Sequence, residues 1–218
     1  MSSFFNKFNL LVDKIISIYD EDKLIKKIEF VLNDKNYIIK TLDDSNLNEL
    51  FEYFNSFTEA EKEYFGFPLF VPRNKSFSEF KQSYNSWINE KNSWNVFMLY
   101  KKENLNEIIA MSYIKKMNHV NNEDTEYKSP TWFNSVKAKY RTIKIQNDRN
   151  LRLSYLMGLL VLVQAEYMKI SKVFARGRSN NKAVRNYLKT LNFKETGRIW
   201  KMTKDNSSFD DIEYEISI

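Results

Sequence analysis

One segment limits what this chain can fold into more than any other. Residues 151–168 hold Leu151, Leu153, Leu156, Met157, Leu159, Leu160, Val161, Leu162 and Val163, so the segment reads as a long helix that is apolar on most sides. A helix without a wide polar face is buried, and the rest of the chain must enclose it. It is not a bilayer span: its longest apolar stretch, Leu153 to Val163, is interrupted by Ser154 and Gly158 and falls short of the ~20 residues a bilayer needs. The segment from Met1 to Tyr19 lacks the basic start, continuous apolar centre and small-residue cleavage site of a secretory signal. A soluble, cytoplasmic protein without a membrane span is expected.

Composition narrows the chemistry. A length of 218 residues suits one domain, or one domain with an appendage, and 43% hydrophobic with 16% aromatic residues excludes disorder. The absence of cysteine excludes disulfide scaffolds, cysteine-ligated metals and thiol catalysis. The single histidine, His119, leaves little room for a histidine metal site or a serine–histidine triad, and no metal is expected. The net charge is +6, from 34 basic and 28 acidic residues, and basic residues such as Lys26, Arg141, Arg152 and Arg185 are scattered over several elements. Nucleic acid is therefore not an expected partner, because an electrostatic footprint needs clustering on one face. Only four glycines are present, where ordinary usage would give roughly 15.

Along the chain, Phe4, Phe5, Phe8, Leu11, Val12, Ile15, Ile16 and Tyr19 recur at three- and four-residue spacing, so the segment from Met1 to Asp20 reads as an amphipathic helix. Its apolar stripe is expected to pack on the domain or on a second copy in a homodimer rather than on a membrane. Apolar runs 28–32 and 37–42 flank Asn33-Asp34-Lys35-Asn36, a hairpin signal. Asp43, Asp44 and Ser45 offer caps for a helix carrying Leu47, Leu50, Phe51 and Phe54, and Thr58 with Glu61 has capping-box spacing. A loop with Pro68 and Pro72 leads to a helix over 77–91. Strands follow at 94–100 and 108–116 around a turn at 102–107, then a polar loop through Pro130, a strand at 140–146, the long helix, a strand at 172–175, a helix at 180–191, and strands at 193–203 and 212–218. The order is that of one α/β domain. Residues 1–34 form an N-terminal helix and strand extension, and 35–218 the domain proper.

From residue 36 onward this order resembles that of the GNAT superfamily of N-acetyltransferases. The residue-level likeness is best from Asn181 to Gly197: an Asn opening a helix, a small or apolar residue three on, Lys189, then Asn192-Phe193 where the family has Gly-Phe, and a later Gly. Asn is the usual substitute for Gly in the left-handed conformation a helix end needs, so Asn192 preserves the backbone. Residues 37–43, followed by an acidic-capped helix, are similar to the family's first strand and helix. The resemblance implies a single GNAT-like domain, a mixed and mostly antiparallel central sheet flanked by helices.

The resemblance also implies acetyl-CoA, or another acyl-CoA, as co-substrate, lying between strands near 141–147 and 172–176 and touching Ile143 and Ile145. The pyrophosphate would sit on the amides of 150–154, contacted by Arg149, Leu151, Arg152, Leu153 and Ser154. At this loop the chain departs from the family: Arg149 keeps the first position, but Arg152 and Ser154 occupy the glycine positions that normally let backbone amides approach phosphate. Arginine can bind pyrophosphate by charge-assisted hydrogen bonds or crowd it. Asn180 and Asn181 are read as helix caps or as coenzyme contacts. The family's proton donor for the departing thiolate is a tyrosine seven residues after the Asn. Counting from Asn180 reaches Tyr187; counting from Asn181 reaches Leu188 but fits Phe193 without an insertion. Tyr187 is the candidate catalytic residue.

No carboxylate falls on the strand 141–146; Glu107, Glu123, Glu126 and Asp148 lie near strand ends, and His119 is either a base or an exposed loop residue. The segment 54–95, rich in Phe65, Phe67, Phe70, Phe77, Trp87 and Trp94, is expected to be core or to line the side from which an amine acceptor (a small molecule, an amino sugar or a peptide end) enters. Two functions fit: an acyl-CoA-dependent N-acyltransferase, or a non-catalytic GNAT-like interaction domain that has lost coenzyme A.

Overall fold

A computed structural model describes residues 3–21, 24–58, 61, 76–88, 94–115, 131–136, 138–146, 148–204 and 207–218. The first half comprises α1 (Ser3–Leu11), β1 (Lys14–Glu21), β2 (Leu24–Leu32), β3 (Lys35–Thr41), α2 (Leu47–Asn55), α3 (Phe77–Ile88), β4 (Trp94–Lys101) and β5 (Asn104–Lys115). The second half comprises β6 (Thr131–Val136), a 3-10 turn at Ala138–Tyr140, β7 (Lys144–Ile145), β8 (Asp148–Arg152), α4 (Leu153–Tyr167), β9 (Lys172–Arg178), α5 (Lys182–Thr190), β10 (Lys194–Lys204) and β11 (Ser207–Ser217).

Nine strands form one sheet in the order β1-β2-β3-β4-β5-β6-β9-β11-β10, and β7 pairs with β8 alone. Neighbours are antiparallel except β6 and β9, which are parallel, as a crossover through a helix requires. The expected mixed, mostly antiparallel sheet is the one observed. The helix that most constrained the sequence is α4, with twelve of its fifteen residues buried. Together with α1 and α5 it covers one sheet face, over Phe30, Ile39, Leu99, Val173 and Ala175. On the other face α2 and α3 bury Leu47, Leu50, Tyr53, Phe54, Phe80 and Tyr84 over Met98, Tyr100, Met111 and Tyr113. No helix among the described residues is long and apolar enough to cross a membrane.

The amphipathic helix expected from Met1 to Asp20 stops at Leu11, and Lys14–Glu21 is a strand. Ile15, Ile16 and Ile18 are β-branched and favour a strand. Irregular pairing with β2, between Ile15/Ser17 and Tyr19/Asp20, breaks the two-residue alternation, which is why the segment carries a helix-like spacing. The helix α1 docks on α4: Phe5, Phe8 and Leu11 are buried, and Glu166 accepts hydrogen bonds from the amides of Ser3 (3.1 Å) and Phe4 (3.2 Å). A carboxylate there complements the positive end of the helix dipole.

The β2–β3 hairpin turns at Asn33 (φ 51°) and Asp34 (φ 60°), a two-residue turn with both residues left-handed, which matches strand twist. The capping box at Thr58 is made: its amide donates to Glu61 Oε2 (3.0 Å) and the Glu61 amide donates to Thr58 Oγ1 (3.2 Å). A second one, unforeseen, opens α3, where the Ser76 amide donates to Glu79 Oε2 (2.7 Å) and the Glu79 amide to Ser76 Oγ (3.3 Å). Phe65, Gly66, Phe67, Pro68, Phe70, Pro72 and the loop carrying His119, Glu123, Glu126 and Pro130 lie outside the described residues.

The expected strand at 140–146 is not the one that completes the sheet. That place belongs to β6, which pairs with β5 from Ala110↔Val136 to Lys115↔Thr131. With its hydrogen-bonding edge taken, the following chain turns at Tyr140, whose carbonyl accepts from the Ile143 amide (3.2 Å), and only Lys144–Ile145 remains as strand.

Candidate active site

The parallel pair β6 and β9 shares a single register among the described residues, Thr131↔Phe174, close to the start of both strands. Pairing then stops, so β6 and β9 part towards Val136 and Arg178. Both continuations end in helices that begin at this same end: α4 after the β7–β8 hairpin, and α5 directly after β9. Two helix N-termini therefore bring partial positive charge to the open end of the strand pair.

The α4 entrance differs from an open glycine loop. Asp148–Arg152 is strand β8, with Lys144↔Arg152 in register, so Arg149 and Leu151 lie on a strand. Arg152 is the extended N-cap residue (φ −126°, ψ 165°), and its guanidinium donates to the Leu151 carbonyl (3.3 Å). The Leu153 amide donates to the Ile143 carbonyl (3.2 Å). Ile145 is buried, while Ile143, Leu151, Arg152 and Ser154 are half-buried. The hairpin is clamped from the opposite side of the chain: Asn33 donates through Nδ2 to the Lys144 carbonyl (2.7 Å) and accepts at Oδ1 from the Gln146 amide (2.8 Å).

At α5, the Asn181 side chain caps the helix by accepting the Val184 amide (3.1 Å). Counted from that cap, Leu188, which is fully buried, lies seven residues on, and Tyr187 comes one residue earlier. Tyr187 is half-buried and donates its hydroxyl to the Ser154 carbonyl (2.8 Å), joining α5 to the first turn of α4. The helix closes as the sequence implied. Asn192 is left-handed (φ 69°), and the amides of Asn192 and Phe193 donate back to Lys189 and Leu188, a Schellman end. Behind the helix, Gly177 lies where a Cβ would stand 2.9 Å from Val184 Cγ1, so a side chain there would push α5 off β9.

Before α5 opens a cleft of about 340 Å³ lined by Arg178, Asn180, Asn181, Lys182 and Ala183. Two cations, two side-chain amides and a helix N-terminus give it groups that attract negative charge. No group of three or more His, Cys, Asp or Glu among the described residues could hold a metal ion.

Of the candidate bases, Glu107 is ion-paired with Lys139 (2.6 Å) and accepts the Tyr140 hydroxyl (3.1 Å), and Asp148 accepts the Asn150 amide (3.0 Å) within its own turn. One carboxylate escaped the sequence reading. Asp211 stands on β11 opposite Arg178, half-buried, and burial pushes its carboxyl up against the opposing pull of Arg178 and Arg176. Its signal was the pair Asp210-Asp211 inside a strand, where aspartate is depleted.

No protein-family model matches this chain, and no curated protein does. Solved structures do. An N-acetyltransferase from Staphylococcus aureus Mu50 superposes with a TM-score of 0.60 at 15% identity, covering 84% of this chain and 98% of its own. A ribosomal-protein-alanine N-acetyltransferase from Brucella melitensis gives 0.60 at 12%, covering 83% and 99%. The spermidine N-acetyltransferase from Vibrio cholerae, in complex with CoA and spermine, gives 0.57 at 14%, covering 83% and 95%. The fold is the GNAT fold. Within it, the segment from Asn181 to Gly197 that carried the sequence resemblance is α5 with both its ends and the start of β10, and the strand beside β9 is β6 rather than 140–146.

Proposed function

We propose that this chain is an acyl-CoA-dependent N-acyltransferase, moving an acetyl or other acyl group onto a primary amine of a small molecule, an amino sugar or a peptide. The observation that carries this reading is the opening between β6 and β9, with two helix N-termini and the Arg178–Ala183 cleft at its open end. Those donors suit a phosphate-bearing acyl donor. In this reading Arg149, Leu151, Arg152, Leu153 and Ser154 hold its pyrophosphate end, with Ile143 and Ile145 supporting the hairpin beneath. Asn180 and Asn181 hold the part that runs past α5. Tyr187, beside the first turn of α4, returns a proton to the leaving thiolate. The bound acyl-CoA supplies the activated carbonyl, and the chain positions it and excludes water. The Vibrio cholerae neighbour, crystallised with CoA and spermine, supports a coenzyme and an amine as the pair of ligands.

One observation favours a non-catalytic interaction domain instead: Arg152 and Ser154 stand where glycines would leave room for phosphate, and the segment is a paired hairpin strand. Thermal melting of the full chain with acetyl-CoA separates the two. A ligand at 100 times its dissociation constant stabilises the native state by about 2.7 kcal/mol. We expect a clear upward shift of Tm. An unchanged Tm at millimolar acetyl-CoA would falsify the acyltransferase reading and leave the interaction domain.

A further inference from the structure

An amine presented as ammonium has no lone pair with which to attack, so the transfer needs an acceptor for its proton. The two described carboxylates singled out from the sequence, Glu107 and Asp148, are engaged elsewhere. Beyond β9 the sheet offers another. In β9, Val173, Ala175 and Gly177 face α4 and α5, so Phe174, Arg176 and Arg178 face the α2–α3 side. Asp211 and Glu213 of β11 stand opposite Arg178 and Arg176 and share that side.

The carboxylates of β11 are not equivalent. Glu213 accepts the Trp200 indole N–H (2.9 Å) and the Thr196 hydroxyl (3.1 Å), and Glu215 pairs with Lys172 (3.0 Å). Asp211 Oδ1 is fully buried, and no donor among the described residues reaches it. The Arg176 guanidinium is stacked 3.8 Å from the centre of the Trp200 ring, and that of Arg198 lies 4.2 Å from the same ring. A buried carboxylate oxygen left without a donor costs free energy unless a ligand completes it. Its cross-strand partner Arg178 lines the cleft at the end of β9.

We propose that Asp211 is the catalytic base, taking the proton of the acceptor's ammonium group at the α2–α3 side of β9 and β11. This rests on the acyltransferase reading. The ammonium gives one proton to the Asp211 carboxylate, and the freed lone pair attacks the thioester carbonyl carbon. The N–C bond forms, the C–S bond breaks, the nitrogen's second proton ends on the departing thiolate, and Asp211 releases its proton to solvent. The groups that set its ionisation are Arg176 and Arg178 from β9, Asp210 beside it, and its own desolvation; desolvation and Asp210 raise its pKa, and the two arginines lower it. A carboxyl above its ordinary range is the better proton acceptor.

The test uses the full chain, acetyl-CoA, and four acceptors: tyramine, glucosamine, spermidine and an alanyl peptide. Wild type is expected to show kcat/KM rising with pH through an ionisation that Asp211→Asn lacks, with kcat about 100-fold lower in the variant. Acetyl-CoA affinity by calorimetry is expected to be equal in both, and Asp211→Glu is expected to recover part of the rate. Asp211→Ser serves the same comparison should the Asn variant melt below assay temperature. Wild-type kcat and pH profile in these variants overturn the role of Asp211 and leave the acyltransferase reading standing. Absence of acetyl-CoA binding, or of transfer to any of the four amines by the wild type, overturns that reading and Asp211 with it.

Discussion

Asn181 and Asn192 show how much a single residue can disclose. Both ends of α5 follow from local chemistry: one Asn accepts an amide at the N-terminus, and the other tolerates a left-handed φ at the C-terminus. Such features are readable in sequence because the partner lies three or four residues away. The pairings of Tyr187 and Asp211 were not, since their partners, Ser154 and Arg178, each lie 33 residues away in the chain. In Tyr187 the hydroxyl bonds a carbonyl in the first turn of α4. Replacing it with Phe keeps the ring packing and removes only that donor. We expect turnover to drop while the dissociation constant of acetyl-CoA stays unchanged, measured by steady-state kinetics and calorimetry. A hydroxyl that merely anchors α5 would instead cost roughly 1 kcal/mol in stability and leave kcat intact.

At the scale of elements, the β2–β3 and β4–β5 hairpins and the Thr58 capping box were legible, whereas the β1–β2 hairpin, read as helix, and strands whose identity depends on a distant edge were not. Residues 131–136 became β6 because β5 offers a free edge, and that pairing reduced 140–146 to a turn and a two-residue strand. The consequence reaches the coenzyme loop. The β7–β8 hairpin has only two register pairs of its own and is held by the Asn33 side chain, from the β2–β3 turn, through bonds of 2.7 and 2.8 Å. Asn33→Gly keeps the left-handed turn conformation and deletes both bonds. The hairpin that carries Arg149 and Arg152 then loses its fixed position. Acetyl-CoA affinity is expected to weaken several-fold with kcat at saturation little changed; an unaltered dissociation constant would show that the clamp does not serve the coenzyme.

Over the whole molecule, residues 1–34 and 35–218 share one sheet and one core. Strand β2 pairs with β3 over Lys27↔Lys40 to Leu32↔Lys35, and the buried Gln164 of α4 accepts the Ile25 amide (2.9 Å). Phe5, Phe8, Leu11, Val12, Ile25, Ile28, Phe30 and Leu32 are all buried in the layer that also covers α4. Each such side chain contributes about 1.5–3 kcal/mol by leaving water, so their sum matches or exceeds the ~5–15 kcal/mol that keeps an ordinary domain folded. Removing residues 1–34 would also expose the β3 edge and one flank of α4, an apolar surface prone to association. A chain shortened to 35–218 is therefore expected to lose its cooperative melt and to aggregate at micromolar concentration, followed by circular dichroism and sedimentation. A soluble 35–218 fragment melting near the full-length Tm would mean that the segment 1–34 is an appendage, and that α4 obtains its cover from the remaining elements alone.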